Sequence, residues 1–156
     1  EALDAVATND VRVAFTAHSI PLEMAAVSPY EAQLNAACEA VASRCEQPPW
    51  DLVYQSRSGP ASQPWLKPDI CGHLEAIAGN CRTVIIHPIG FLSDHLEVLY
   101  DLDTKARAVC DRLNLNMIRA GTVGDHPALI GALADLVQNH LDPAVQIPSC
   151  PVGCCR

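Results

Sequence analysis

The sequence predicts an α/β fold: a doubly wound parallel sheet of about four strands with helices on both faces. Three observations point there. Four short apolar runs, at 11–16, 52–55, 83–89 and 116–119, are rich in β-branched residues and read as strands. The segments between them place apolar residues at helical spacing. Strand and helix alternate along the chain, which implies βαβ units with right-handed crossovers.

Each element has its own local reason. The first strand, VRVAFT, is a near-continuous apolar run of the kind buried on both faces of a parallel sheet. A helix over 29–44 follows, with Ser28 as the expected N-cap. The second strand runs into QSRSGPASQPWLKP (55–68), whose Gly, Pro and Ser are loop chemistry. Asp69 is a suitable cap for a helix over 69–78, and Ser93 for a longer one over 93–113. Pro127 suits the first turn of a last helix over 127–140. Residues 141–156 read as a Pro-rich irregular tail. The expected organisation is one lobe over 1–142 followed by a tail over 143–156 that carries a cysteine cluster. No internal repeat is present.

Composition narrows the function classes. The 156 residues suffice for one domain with a real core. An apolar fraction of 49% and a mean hydropathy of +0.12 argue against disorder. A net charge of −8 argues against a nucleic-acid surface, which is usually basic. No apolar run approaches the roughly 20 residues of a membrane span. The opening EALDAVATND is polar and acidic, unlike a signal peptide, so a cytoplasmic location is expected. The chain starts without Met, in what reads as the tail of a helix, and is expected to be part of a longer protein.

Of the eight cysteines, Cys38, Cys45, Cys71, Cys81 and Cys110 are scattered through periodic segments, as buried free thiols are. Without a secretion signal, a disulfide framework is a poor default. Cys150, Cys154 and Cys155 crowd into CPVGCCR. Adjacent cysteines are awkward for a single tetrahedral zinc but compatible with a two-iron cluster, which usually takes four thiolates.

In open parallel sheets ligands bind outside the carboxyl ends of the strands. Here those ends read FTAHSIP, YQSRSGP and HPIGFLSDHLE, so three polar clusters converge on one sheet edge. His18 could simply cap a turn, but with Glu97 at a neighbouring strand end an imidazole faces a carboxylate, a pair able to relay protons or hold a divalent ion. Glu97 and Asp101 stand at i and i+4, and like charges there repel by roughly a few tenths of a kcal/mol unless a cation or proton sits between them. Lys105, at i+8, either ends that acidic line or pairs with Asp101. Gln55, Ser56, Arg57 and Trp65 form the second cluster, where Arg57 suits a carboxylate ligand and Trp65 an aromatic face; an exposed Arg and a loop-anchoring Trp are equally good readings. His87 reads as a satisfied strand histidine, and His73, His126 and His140 have no nameable partner.

Taken together, FTAHSIP, YEAQL, LVYQSRSGPASQPWLKPDI, IIHPIGFLSDHLEVLYDLD and DHPALIGALADLV resemble the ferrochelatases, which insert ferrous iron into a porphyrin. The resemblance implies a chelatase-like lobe, the second of two, with the first absent from this sequence. It implies a catalytic role for His18 and Glu97, and Fe²⁺ handling by His18, Glu97 and Asp101. Gln55, Ser56, Arg57 and Trp65 would line the porphyrin pocket. Lys105 stands where an acid is frequent in the family, so the outer metal path would be shorter. The tail resembles the terminus of actinobacterial members with a [2Fe-2S] centre on Cys150, Cys154 and Cys155, whose fourth ligand would come from the first lobe. Coproporphyrin III is the expected substrate in heme biosynthesis, with protoporphyrin IX as a second. The rival expectation is a non-catalytic isolated lobe or an iron–sulfur or metal-binding module. A half-sized chelatase that dimerises ranks below both.

Overall fold

The computed structural model describes residues 10–45 and 48–142. The chain divides into two compact units, 1–122 and 123–156, and each is described by itself.

The first unit is built on four strands: β1 (Val11–His18), β2 (Trp50–Gln55), β3 (Thr83–His87) and β4 (Asn116–Arg119). They pair in the order β2-β1-β3-β4, and all three pairings are parallel. Every expected strand is present. β1 extends two residues past its expected end because its ladder to β2 continues through the His18–Gln55 pair.

Helices cover both faces, as expected for a parallel sheet that must hide two apolar surfaces. On one face lie α3 (Ile70–Ile77) and a long helix made of α4 (Leu96–Val98), a π-helix (Leu99–Ala106) and α5 (Arg107–Leu113). Their Ile70, Leu74, Val98, Leu102, Ala106 and Cys110 close on Ala14, Val53, Val84, Ile86 and Met117 of the strands. On the other face α2 (Tyr30–Ala42) sets Cys38 and Ala42 against Val11, Val13, Phe15 and Ile85. β1 therefore alternates its side chains between two cores. Its carboxyl end lies between β2 and β3, where the chain changes from the α2 face to the α3 face. That is the switch point at which such sheets open a crevice.

Two local expectations are corrected. Ser28 does not cap α2: the cap position is Pro29, and no side chain makes the cap bond. Ser93 does not cap the long helix, because His95 takes that place with its imidazole. A short helix, α1 (Leu22–Ala26), also stands directly after His18-Ser19-Ile20-Pro21, where the sequence pattern indicated no element. Asp69 caps α3 as expected, accepting from the Cys71 N–H at 2.9 Å. The long helix stops at Asn114, which adopts the left-handed conformation (φ 54°) that asparagine tolerates at helix ends.

The described part of the second unit is α6 (Pro127–Leu141), with Pro at its start and the His126 imidazole accepting from the Ala128 N–H at 3.2 Å. Cys150, Cys154 and Cys155 lie outside the described residues.

Candidate functional site

His18 is the last residue of β1, and its backbone is held from two sides. The Tyr30 hydroxyl donates to the His18 carbonyl at 2.9 Å, and the next N–H, of Ser19, donates to the Gln55 carbonyl at 2.8 Å. The Ser19 hydroxyl donates to the Leu66 carbonyl at 2.9 Å. The His18 ring is fixed as well, with Nδ1 at 2.6 Å from the Ser19 carbonyl oxygen. A carbonyl only accepts, so this bond assigns the proton of the neutral ring to Nδ1 and leaves a lone pair on Nε2. Metal-binding histidines commonly hold their other ring N–H on an acceptor in this way.

Nε2 faces Glu97, with 3.7 Å to Oε2. Two features of the β3–α4 loop bring Glu97 there. Gly90 lies directly against β1: its N–H donates to the Thr16 carbonyl at 3.0 Å, and a Cβ added to it would stand 2.7 Å from the Ala17 Cβ. Only a residue without a side chain lets the loop pass so close. Beyond it, His95 Nδ1 accepts from the Val98 N–H at 3.4 Å and its ring meets Phe91 edge-on. His95 is thus a cap that starts the helix, and Glu97 is that helix's second residue. The His18 and Glu97 side chains are 35% and 49% exposed, open enough for a ligand to reach both.

Asp101 sits differently. It is buried, its Oδ2 accepts from the Ser56 hydroxyl at 2.5 Å, and its Oδ1 accepts from Lys105 Nζ at 2.8 Å. Both oxygens are thus engaged within the protein, unlike the Glu97 carboxylate, which is half-exposed. Helix type explains the difference. A change from α to π winding at Leu99, between the two acids, breaks the simple i, i+4 stacking. Lys105 ends the acidic line by pairing with Asp101. That bond raises the Lys105 pKa, and the ammonium also lies over the Tyr100 ring at 4.7 Å.

The second expected cluster divides. Ser56 adopts φ 62°, a left-handed conformation that costs a non-glycine residue about 1–2 kcal/mol, and its bond to Asp101 holds it there. Gln55 is buried at 1% exposure, and neither side-chain amide atom has a hydrogen-bond partner in the protein. Arg57 is folded into its own loop, donating to the Pro60 and Gln63 carbonyls at 3.1 and 3.3 Å. Trp65 bridges to Pro21, just after His18 and Ser19, and Gly59 lies against its ring. Among the described residues no group of three or more His, Cys, Asp and Glu side chains is placed to hold a metal ion.

Two residues that matter here were not singled out from sequence: Tyr30, which fixes the His18 carbonyl, and Arg119, at the carboxyl end of β4. A lone Arg closing the run NMIR at a strand end was the available signal for the second.

This arrangement can be compared with known proteins. The family model described as Ferrochelatase matches residues 1–141. The chain belongs to the ferrochelatase family. A ferrochelatase from Rhodopirellula baltica is 45% identical over 159 residues, covering 92% of this chain and 44% of that protein. A coproporphyrin III ferrochelatase from Streptomyces griseus is 43% identical, covering 92% of this chain and 46% of its own length, and one from Nocardia farcinica is 40% identical. The chain thus spans less than half the length of these relatives. A solved structure assigned as a cobalamin (vitamin B12) biosynthesis CbiX protein, from Marinobacter aquaeolei VT8, shares the fold with a TM-score of 0.59 at 14% identity, covering 84% of this chain and 97% of that one. The segments FTAHSIP and SDHLE, which meet as His18 and Glu97, both lie within the family match. No helix among the described residues is long and apolar enough to cross a membrane.

Proposed function

We propose that this chain carries the metal-insertion half of a ferrochelatase, with His18 and Glu97 as the groups that meet Fe²⁺ and the porphyrin. The observation that carries this reading is the free Nε2 of His18 facing the Glu97 carboxylate at 3.7 Å, at the open switch point of the sheet. Metallation needs two things from a protein. The two pyrrole protons must find acceptors, and Fe²⁺ must exchange its water for other ligands. A neutral imidazole nitrogen and a carboxylate on one wall supply both kinds of group.

The surroundings of the pair fit a flat apolar macrocycle. Leu22 and Met24, four and six residues after His18 in the sequence, are exposed, and so are Leu92 and Leu96, shortly before Glu97. Exposed apolar residues in the segments that carry both members of the pair support a ligand surface there. Ser56 and Asp101, with Trp65 near Pro21, would support this wall from behind. Arg57, once released from its loop carbonyls, is the group suited to a propionate. The substrate that best fits the named relatives is coproporphyrin III, with heme formation as the result.

The relatives are more than twice as long as the matched chain, and this supports a first lobe that closes over the His18–Glu97 pair. Without such a wall the chain would hold metal and porphyrin but turn over weakly. Cys150, Cys154 and Cys155 provide three thiolates, one short of the four that iron–sulfur clusters usually take. These residues do not complete a cluster alone, and no step here depends on one.

The test is anaerobic mixing of the protein with Fe²⁺ and coproporphyrin III while the Soret band is followed. Metallation that disappears in Glu97→Gln, with porphyrin still bound, supports the reading. Full activity in Glu97→Gln overturns it. Binding without turnover in the wild type assigns the chain to an isolated lobe.

A further inference from the structure

We infer that Arg119 is a positioning residue that fixes Glu97 opposite His18 by clamping both ends of the segment on which Glu97 is carried; this rests on the reading of that pair as the metal-insertion site. Arg119 closes β4, and its side chain is only 10% exposed. Nη2 donates to Asp94 Oδ1 at 2.6 Å, Nε to Asp103 Oδ1 at 3.3 Å and Nη1 to the Ala120 carbonyl at 2.7 Å. Asp94 comes three residues before Glu97 and Asp103 six residues after it. One guanidinium therefore ties the loop that enters the helix to the π-helix that follows.

Glu97 needs such a device. It sits in an α-helical stretch of three residues, between a loop and a π-helix, and its neighbour Leu96 is exposed. The Glu97 side chain is half-exposed and the residue lies in the first turn of the long helix, where helices fray, so its own packing does not hold it. Val98 and Leu102 bury the inner face and fix the depth of the helix. They leave its slide along the sheet edge to polar contacts. Arginine suits the task because its planar fork holds two carboxylates in set directions, and a buried fork meets little competition from water. Without it, two partly exposed carboxylates would be left without their common partner.

The test uses the 156-residue chain with Cys150, Cys154 and Cys155 changed to Ser, and Co²⁺ as the probe. Wild-type affinity must first fall in His18→Ala and in Glu97→Gln; if it does not, the metal-insertion reading fails whatever Arg119 does. Given that, Arg119→Gln should lower Co²⁺ affinity about tenfold or more, the usual effect of losing a group that orients a ligand. Arg119→Lys, with the charge but not the fork, should fall between. Arg112→Gln, which breaks the exposed Arg112–Glu75 pair, should leave the affinity unchanged. Should Arg119→Gln fail to fold, Asp94→Asn leaves the guanidinium in place and should still weaken binding and shift the Co²⁺ visible band. A folded Arg119→Gln or Asp94→Asn with wild-type Co²⁺ affinity, however much its Tm falls, overturns the inference.

Discussion

His18 and Glu97 stand 79 residues apart in the sequence, yet their side chains meet at 3.7 Å, with Nδ1 of the imidazole held on the Ser19 carbonyl and Nε2 turned toward the carboxylate. The contact is made by backbone, through the close passage of Gly90 over Ala17 and the His95 cap. The ring orientation predicts an asymmetry between substitutions. His18→Gln, which keeps a polar group but loses the imidazole lone pair, should bind Co²⁺ at least tenfold more weakly than wild type. His95→Asn should bind nearly as wild type, since asparagine also caps helices. Equal losses in the two variants, by titration, would contradict the separate roles.

Asp101 and Lys105 form a coupled pair with Ser56. Removing Lys105 alone leaves a buried carboxylate without its cation, so Lys105→Met should destabilise the fold by about 1–3 kcal/mol. Asp101→Asn should cost a similar amount, and the double variant less than the sum. Urea unfolding of all four proteins measures this coupling, and strict additivity would remove it.

The core under the long helix sets a second scale. Leu102 is fully buried between Val98, Ala106 and the strands, so Leu102→Ala should cost about 2–5 kcal/mol. A loss below 1 kcal/mol, by roughly the same urea measurement, would mean that the π-helix packs more loosely than described.

Buried histidines make stability depend on pH. Burial lowers the pKa of His73 and His87 below the ordinary histidine value of 6.5. A depressed histidine pKa means that the unfolded chain binds protons first as pH falls. Stability from these groups is therefore present above 6.5 and is lost progressively below it, until the folded pKa values are reached. Tm should fall from pH 7 to pH 5, and His87→Phe should flatten that fall. A Tm that rises on acidification would reverse the sign. Alkaline behaviour follows from the thiols: burial pushes Cys38 and Cys110 to about 11, so both should resist alkylation at pH 8 until the protein is unfolded.

Much of this was legible in the sequence, for identifiable reasons. The strands showed because parallel strands buried on both faces are unbroken apolar runs, as in VRVAF and TVII. The meeting of His18 with Glu97 showed because strand ends in such sheets converge. The π-helix did not show, since its apolar positions Val98, Leu102 and Ala106 keep a spacing of four that an α-helix also allows. Helix α1 is too short for any period. The caps at Ser28 and Ser93 were misplaced because a proline and an imidazole took the positions that serines usually fill. Arg119 was passed over because its partners lie 25 and 16 residues away, and only the register of β3 with β4 brings them together.

On the proposed reading, His18 and Glu97 receive the metal together. Anaerobic Co²⁺ titration of the tail-serine chain, followed by visible absorption, tests it most directly. One site is expected, whose affinity drops in His18→Ala and in Glu97→Gln and at least as far in the double variant. Binding of wild-type strength in the double variant would contradict it.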